Sequence, residues 1–187
     1  SSSAIINALA PWIMCMRRKG LKTMVAIRAD AGTAFSSDEF KQWCTKNNVE
    51  MTLAAPNHQE QNAYAERGYQ TVSRMARAML VHANLSLAFY YPAAKYVCQC
   101  LRVLPAMNLG DKNGNVTTPY SIVFKKLTRV NRYKLFGCPT FYTIYNASKD
   151  QKVIPKFQLA QRGCRGIFVG FPDAQAGWRI FNPEATK

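Results

Sequence analysis

The spacing of apolar residues changes once along this chain, at about Tyr133, and that change limits the folds open to it. In front of it, apolar residues recur at helical intervals: Ile5, Leu9, Trp12, Ile13 and Met16, then Phe40, Trp43 and Cys44, then Ala65, Tyr69, Val72, Ala76, Met79 and Leu80. A further helix over residues 86–104 is predicted from Pro92 near its start and from Ala93, Val97, Cys100, Leu101 and Leu104. Between the first three helices, residues 21–29 and 49–55 read as short strands. Behind Tyr133, aromatic and β-branched stretches at 139–145, 153–159, 166–171 and 178–181 alternate with turn residues, the pattern of a small sandwich or barrel. The chain is therefore predicted to hold an α/β part, residues 1–133, followed by a small all-β part, residues 134–187.

Local signals refine the elements. Arg17, Arg18, Lys19 and Gly20 suit a helix C-terminus, and Pro11 predicts a kink or a late start. Ser36, three residues before Glu39, forms a capping-box pattern. Residues 56–62 read as a polar loop and residues 111–115 as a turn. On the long helix, Glu66, Gln70, Ser73, Arg74 and Arg77 fall opposite the apolar stripe.

Charge is unevenly shared. Of 25 Lys and Arg against 10 Asp and Glu, residues 1–66 hold seven bases and six acids, a net of +1; residues 67–187 hold eighteen bases and four acids, a net of +14. An excess that large implies a polyanionic partner, nucleic acid first among them. Hydrophobic residues make up 48%, enough for a folded core and unlike a disordered chain. The six cysteines form no pair of C-x-x-C motifs and only two histidines, His58 and His82, are present, which argues against a structural zinc site. Cys98 and Cys100 lie in a helical pattern and are predicted to be buried thiols. Neither a secretory leader nor a run of about twenty apolar residues occurs, so an intracellular, reduced protein without membrane contact is expected. Ser1 in place of Met suggests a piece of something longer.

Two acids stand where chemistry is usually built. Asp30 follows a predicted strand, Glu66 lies in the first turns of the long helix, and thirty-five residues separate them. Ligands gather at strand ends in α/β sheets. Paired carboxylates there suit a hard divalent cation that keeps waters and substrate phosphates, and such cations steady the attacking and leaving oxygens of a phosphoryl displacement. Acids in these positions are also common in α/β proteins with no metal at all.

The words around the two acids carry more information. Arg28-Ala29-Asp30-Ala31-Gly32-Thr33-Ala34-Phe35 resembles R-S-D-N-G-G-E-F, and Gln61-Asn62-Ala63-Tyr64-Ala65-Glu66-Arg67 resembles Q-N-G-V-A-E-R. With the 35-residue spacing these resemble the last two acids of the D,D-35-E integrases, in the copia-type retrotransposon branch. The likeness continues through Ala76-Arg77-Ala78-Met79-Leu80, Thr118-Pro119-Tyr120, Phe136-Gly137-Cys138-Pro139, the stretch from Arg162 to Phe171, and Gly177-Trp178-Arg179-Ile180-Phe181-Asn182-Pro183. Ala31, Ala34 and Ala63 depart from the pattern, where the family has Asn, Glu and Gly.

The resemblance implies a truncated RNase H-like integrase core followed by a small SH3-like β-barrel, and an enzyme that uses Mg2+ or Mn2+ to direct a DNA 3′-hydroxyl against a target phosphodiester. Asp30 and Glu66 would be the second and third metal ligands. Residues 1–29 hold no Asp or Glu, so the first ligand is expected upstream, and this stretch alone is expected not to catalyse strand transfer. DNA (element ends and target), other copies of the chain, and a polyprotein shared with reverse transcriptase are the implied partners, in the nucleus or a cytoplasmic retrotransposon particle.

Several polar residues are candidate DNA contacts. Gln59, Gln61 and Asn62 precede Glu66 in the loop, Arg67, Arg74 and Arg77 follow it on the helix, and Lys125, Lys126, Arg129, Arg132 and Lys134 crowd within ten positions. Five bases so close repel one another unless an anion is near. Phe168, Phe171 and Trp178, placed in short alternating strands, are predicted to be barrel core rather than base-stacking surfaces. The alternative to an integrase segment is a catalytically dead nucleic-acid-binding module from a decayed element. A role as a mere link within the polyprotein predicts weak, salt-insensitive DNA binding, which the +14 half opposes.

Overall fold

The computed structural model describes residues 1–18, 26–30, 32–54, 63–106, 117–127, 129–143, 163–173 and 176–186. The elements run α1 (Ser2–Arg18), β1 (Ala26–Ala29), α2 (Thr33–Ser36), α3 (Asp38–Lys46), β2 (Glu50–Leu53), α4 (Ala63–Ala83), α5 (Tyr90–Leu101), α6 (Pro119–Phe124), β3 (Pro139–Thr143), β4 (Gly163–Phe168) and β5 (Ile180–Phe181). Short 3-10 turns stand at Leu87–Phe89, Val130–Arg132 and Pro183–Thr186. The fold is mixed α/β, and contacts group it into two compact units: residues 1–71 with 122–126, and residues 72–121 with 127–187.

The first unit is built on a parallel pair, β1 and β2, in which Ala26 pairs with Glu50 and Ala29 with Leu53. Parallel strands need their connection to cross over, and α2 and α3 make that crossover. Ile13 of α1, Phe40 and Cys44 of α3, and Val49 are buried together, with Phe40 stacked on Trp43 at 5.8 Å and edge-on to Phe35 at 5.5 Å. Helix α1 runs through Pro11 without a break in its assignment, and starts earlier than predicted. The cap of α3 is Ser37, not Ser36: Ser37 is extended and its Oγ accepts the Phe40 amide at 3.3 Å. Ser36 is already taken up in the α2 turn, where its hydroxyl donates to the Gly32 carbonyl at 3.2 Å. Glu39 accepts instead from Ser2 Oγ.

In the second unit the antiparallel sheet β3-β4-β5 shares its core with helices. Phe168 and Val169 are buried with Ala76 and Leu80 of α4, with Ala93, Tyr96 and Val97 of α5, and with Phe136. Tyr96 is the hub, in ring contact with Tyr133, Phe136, Phe168 and Phe171. Strand β4 crosses β5 closely enough to require glycine: a Cβ on Gly166 would stand 2.4 Å from Ile180 Cγ2 and 3.0 Å from the Phe181 carbonyl oxygen. Gly137, at φ +82°, turns the chain against α4, where a Cβ would meet that of Ala83 at 2.2 Å. The described strands do not close into a barrel. The stretches predicted at 153–159 and 111–115 lie outside the described residues.

Three burial expectations are corrected. Ser73, placed on the polar face of the long helix, is only 6% exposed, and its hydroxyl lies 2.9 Å from that of Tyr90. Ala65 and Tyr69, placed on the apolar stripe, are exposed, because no element among the described residues covers residues 64–71 of α4. Cys98, expected to be buried, is exposed, while Cys100 is half-buried; all six cysteines are free. No helix among the described residues is long and apolar enough to cross a membrane.

Candidate functional site

Asp30 leaves the C-terminal end of β1 directly after Ala29, whose carbonyl accepts the Ala54 amide at 2.8 Å. That bond ties the strand end down while the next side chain stays exposed. Gly32 is what gives the carboxylate room: a Cβ there would stand 3.1 Å from Asp30 Oδ1. The Gly32 carbonyl accepts the amides of Phe35 and Ser36, both at 3.0 Å, and so turns the chain away into α2.

Glu66 lies in the first turn of α4, where free helix amides favour a negative charge. It is exposed, as is Asp30, and the ion pairs among the described residues involve neither. Both acids belong to the first unit. No group of three His, Cys, Asp or Glu able to hold a metal occurs among the described residues.

The basic candidates are on the surface. Arg67 and Arg74 stand two turns apart on one stripe of α4 with Arg77 one turn beyond, all three exposed. Lys125, at φ +51°, and Lys126 are exposed residues of the first unit, whereas Arg129, Arg132 and Lys134 are exposed residues of the second. The run that looks like one cluster in sequence is thus divided between the units. Gln59, Gln61, Asn62 and His58 lie outside the described residues. His82 ends α4 and is exposed.

Burial separates the three aromatics predicted to be barrel core. Phe168 is buried and Phe171 half-buried, but Trp178 is 52% exposed. Its indole Nε1 donates to the Arg132 carbonyl at 3.0 Å, and the Arg132 guanidinium lies 5.7 Å from the Phe171 ring centre. Strand alternation could show that Trp178 and Ile180 face one way, yet not whether anything covers that face. A surface network of Lys95, Asp173 and Arg179 has no signal in the sequence, because Lys95 meets its partner Asp173 across 78 positions. Hydrogen bonding from Lys95 is the main reason the exposed Asp173 carboxyl is held below its usual range.

No family model matches the chain. A "Retrovirus-related Pol polyprotein from transposon TNT 1-94" of Nicotiana tabacum is 24% identical over 172 residues, 92% of this chain. The chain is similar to retrotransposon and retroviral Pol polyproteins. The Pro-Pol polyprotein of feline foamy virus is 29% identical over 62 residues, 33% of this chain. The chain spans 12% of the tobacco polyprotein's length and the viral match 5% of the other's. One chain of the simian T-cell lymphotropic virus intasome in complex with PP2A regulatory subunit B56 gamma covers 97% of this chain and 62% of its own, with a TM-score of 0.48 at 17% identity.

Proposed function

We propose that this chain is an integrase segment of a copia-type retrotransposon polyprotein: it binds DNA and, in the complete enzyme, gives Asp30 and Glu66 to a divalent-metal site for joining a DNA 3′-hydroxyl to a target phosphodiester. On this reading residues 1–133 are the later part of an RNase H-like core and residues 134–187 an SH3-like module. The observation that carries it is the position of Asp30, a carboxylate with no ion-pair partner among the described residues, at the C-terminal end of a parallel strand with Gly32 keeping its oxygen clear. Similarity along 92% of the chain to a retrotransposon Pol polyprotein supports the same reading.

The residues fit a hard cation. Both donors are carboxylate oxygens, both are exposed, and no protein cation among the described residues neutralises either. When bound, Mg2+ or Mn2+ would supply charge stabilisation for the attacking and leaving oxygens. The protein's own part is to hold the ion with Asp30 and Glu66 and the DNA phosphates with Arg67, Arg74 and Arg77. Gln61 and Asn62 would touch the DNA near the cut. Lys125, Lys126, Arg129, Arg132 and Lys134 would bind backbone further away. Element ends and target DNA are the substrates, self-association and a polyprotein with reverse transcriptase the setting, and nucleus or retrotransposon particle the place.

A second reading, a nucleic-acid-binding module without catalysis, draws on the lack of a third acid beside the two among the described residues. Asp30→Asn and Glu66→Gln separate the two. If the integrase reading holds, Mn2+ binding to the full chain, followed by electron paramagnetic resonance, drops in each variant while affinity for DNA scarcely changes. Unaltered Mn2+ binding in both variants leaves only the binding module.

A further inference from the structure

Trp178 differs from every other aromatic side chain around it. Tyr133, Phe168 and Phe171 are buried or half-buried and meet one another or Tyr96 in ring contacts, whereas half of the Trp178 surface is open. Its single polar atom is already used, since Nε1 donates to the Arg132 carbonyl at 3.0 Å. The indole is therefore anchored, has no polar group left to satisfy, and keeps apolar ring surface in water. Burying such a surface is favourable, and an anchored ring gives up little side-chain freedom when it is covered.

The segment that anchors it decides what can cover it. Arg129, Arg132 and Lys134 are exposed, and no Asp or Glu occurs from residue 127 to residue 143. Arg132 is itself fixed by its place over the Phe171 ring. A matching partner carries a flat apolar face beside a negative charge. An unpaired nucleotide has both, while a duplex offers its phosphates but keeps its base faces stacked on each other.

We propose that Trp178, tethered to Arg132, is a stacking platform for an unpaired base of single-stranded nucleic acid, whose phosphates are held by Arg129, Arg132 and Lys134. The inference rests on the reading of this chain as a nucleic-acid binder and assigns a strand form to one part of its surface. An acidic peptide would satisfy the charges but would gain nothing specific from the ring.

The test is a cycle of two changes on the full chain, read by fluorescence anisotropy. Trp178→Ala is compared with the unaltered protein on a labelled oligothymidylate and on an abasic oligonucleotide of equal length. Stacking predicts about a tenfold loss on the oligothymidylate and no loss on the abasic strand. Trp178→Phe, which lacks the indole donor but keeps a ring, retains most of the affinity. Equal losses on both strands, equal losses in the Phe and Ala variants, or no loss at all overturn the platform. If the unaltered chain binds duplex DNA but not the single strand, the platform falls and the proposed function stands. If it binds neither, both fall.

Discussion

The phenol of Tyr96 and the backbone of Lys134 exchange two hydrogen bonds: the hydroxyl donates to the Lys134 carbonyl at 2.5 Å and accepts the Lys134 amide at 3.1 Å. One buried side chain thus satisfies both backbone groups of a residue thirty-eight positions later. Tyr96→Phe keeps the ring contacts and removes both bonds. Destabilisation of about 1–3 kcal/mol is expected, because the partners are left without the hydroxyl. Urea unfolding of the full chain measures it.

The same phenol ties stability to alkaline pH. Burial is the main cause that pushes Tyr96 well above its ordinary value of 10.0, and the neighbouring Cys100 thiol adds to it. The raised value means that the neutral form is favoured on folding. Its contribution is therefore complete below pH 10 and is lost as the pH rises further, through the folded-state value. Unfolding free energies measured from pH 8 to pH 11.5 should fall more steeply in the unaltered protein than in Tyr96→Phe. Parallel curves would show that this group is not the source.

Gly32→Ala tests the room around Asp30. The backbone there, φ −57° and ψ 144°, is open to alanine, so stability should hold or rise by a few tenths of a kcal/mol. The added Cβ would nevertheless press on Asp30 Oδ1. Weaker Mn2+ binding with an unchanged melting temperature is expected; tighter or equal binding would mean that the carboxylate moves without consequence.

Ser73 and Tyr90 should behave as a pair. Ser73→Ala strands the Tyr90 hydroxyl and should cost about 1–2 kcal/mol, whereas adding Tyr90→Phe removes the stranded partner. The double variant is expected to lose less than the sum of the singles, read from chemical denaturation. Full additivity would show that the two hydroxyls are not coupled.

Arg67, Arg74 and Arg77 can be counted by salt. Each arginine that contacts a duplex phosphate contributes about 0.9 to the slope of log affinity against log salt. Replacing all three by Ala should lower that slope by roughly 2 to 3 units and leave sequence preference unchanged. An unaltered slope places the DNA elsewhere.

How far the sequence could be read depended on whether a feature was local. Helices α1, α3 and α4 and the separate strands β1 and β2 follow from apolar spacing, though not the parallel pairing of the strands, and Asp30 and Glu66 stand at the strand end and first helical turn predicted for them. Ser36 and Ser37 are adjacent possible caps; Glu39 completes a box only with the earlier serine, yet the α2 turn takes up its hydroxyl. Ser73 reads as polar surface because its partner lies seventeen residues away. The sharing of one core by β4 and the helices was equally invisible, since nothing local to Phe168 or Val169 names Leu80 or Val97 as neighbours. The division of the bases from Lys125 to Lys134 between two units is of the same kind.

That shared core has a consequence in time. Ala76, Leu80, Ala93, Tyr96 and Val97 are made long before Phe168 and Val169, which complete their burial. With Phe168 standing 71 positions after Val97 in order of synthesis, the apolar faces of two helices wait about 4 to 14 s at common translation rates. A nascent chain in that interval offers chaperones the uncovered apolar faces of α4 and α5, and their release should coincide with the arrival of β4.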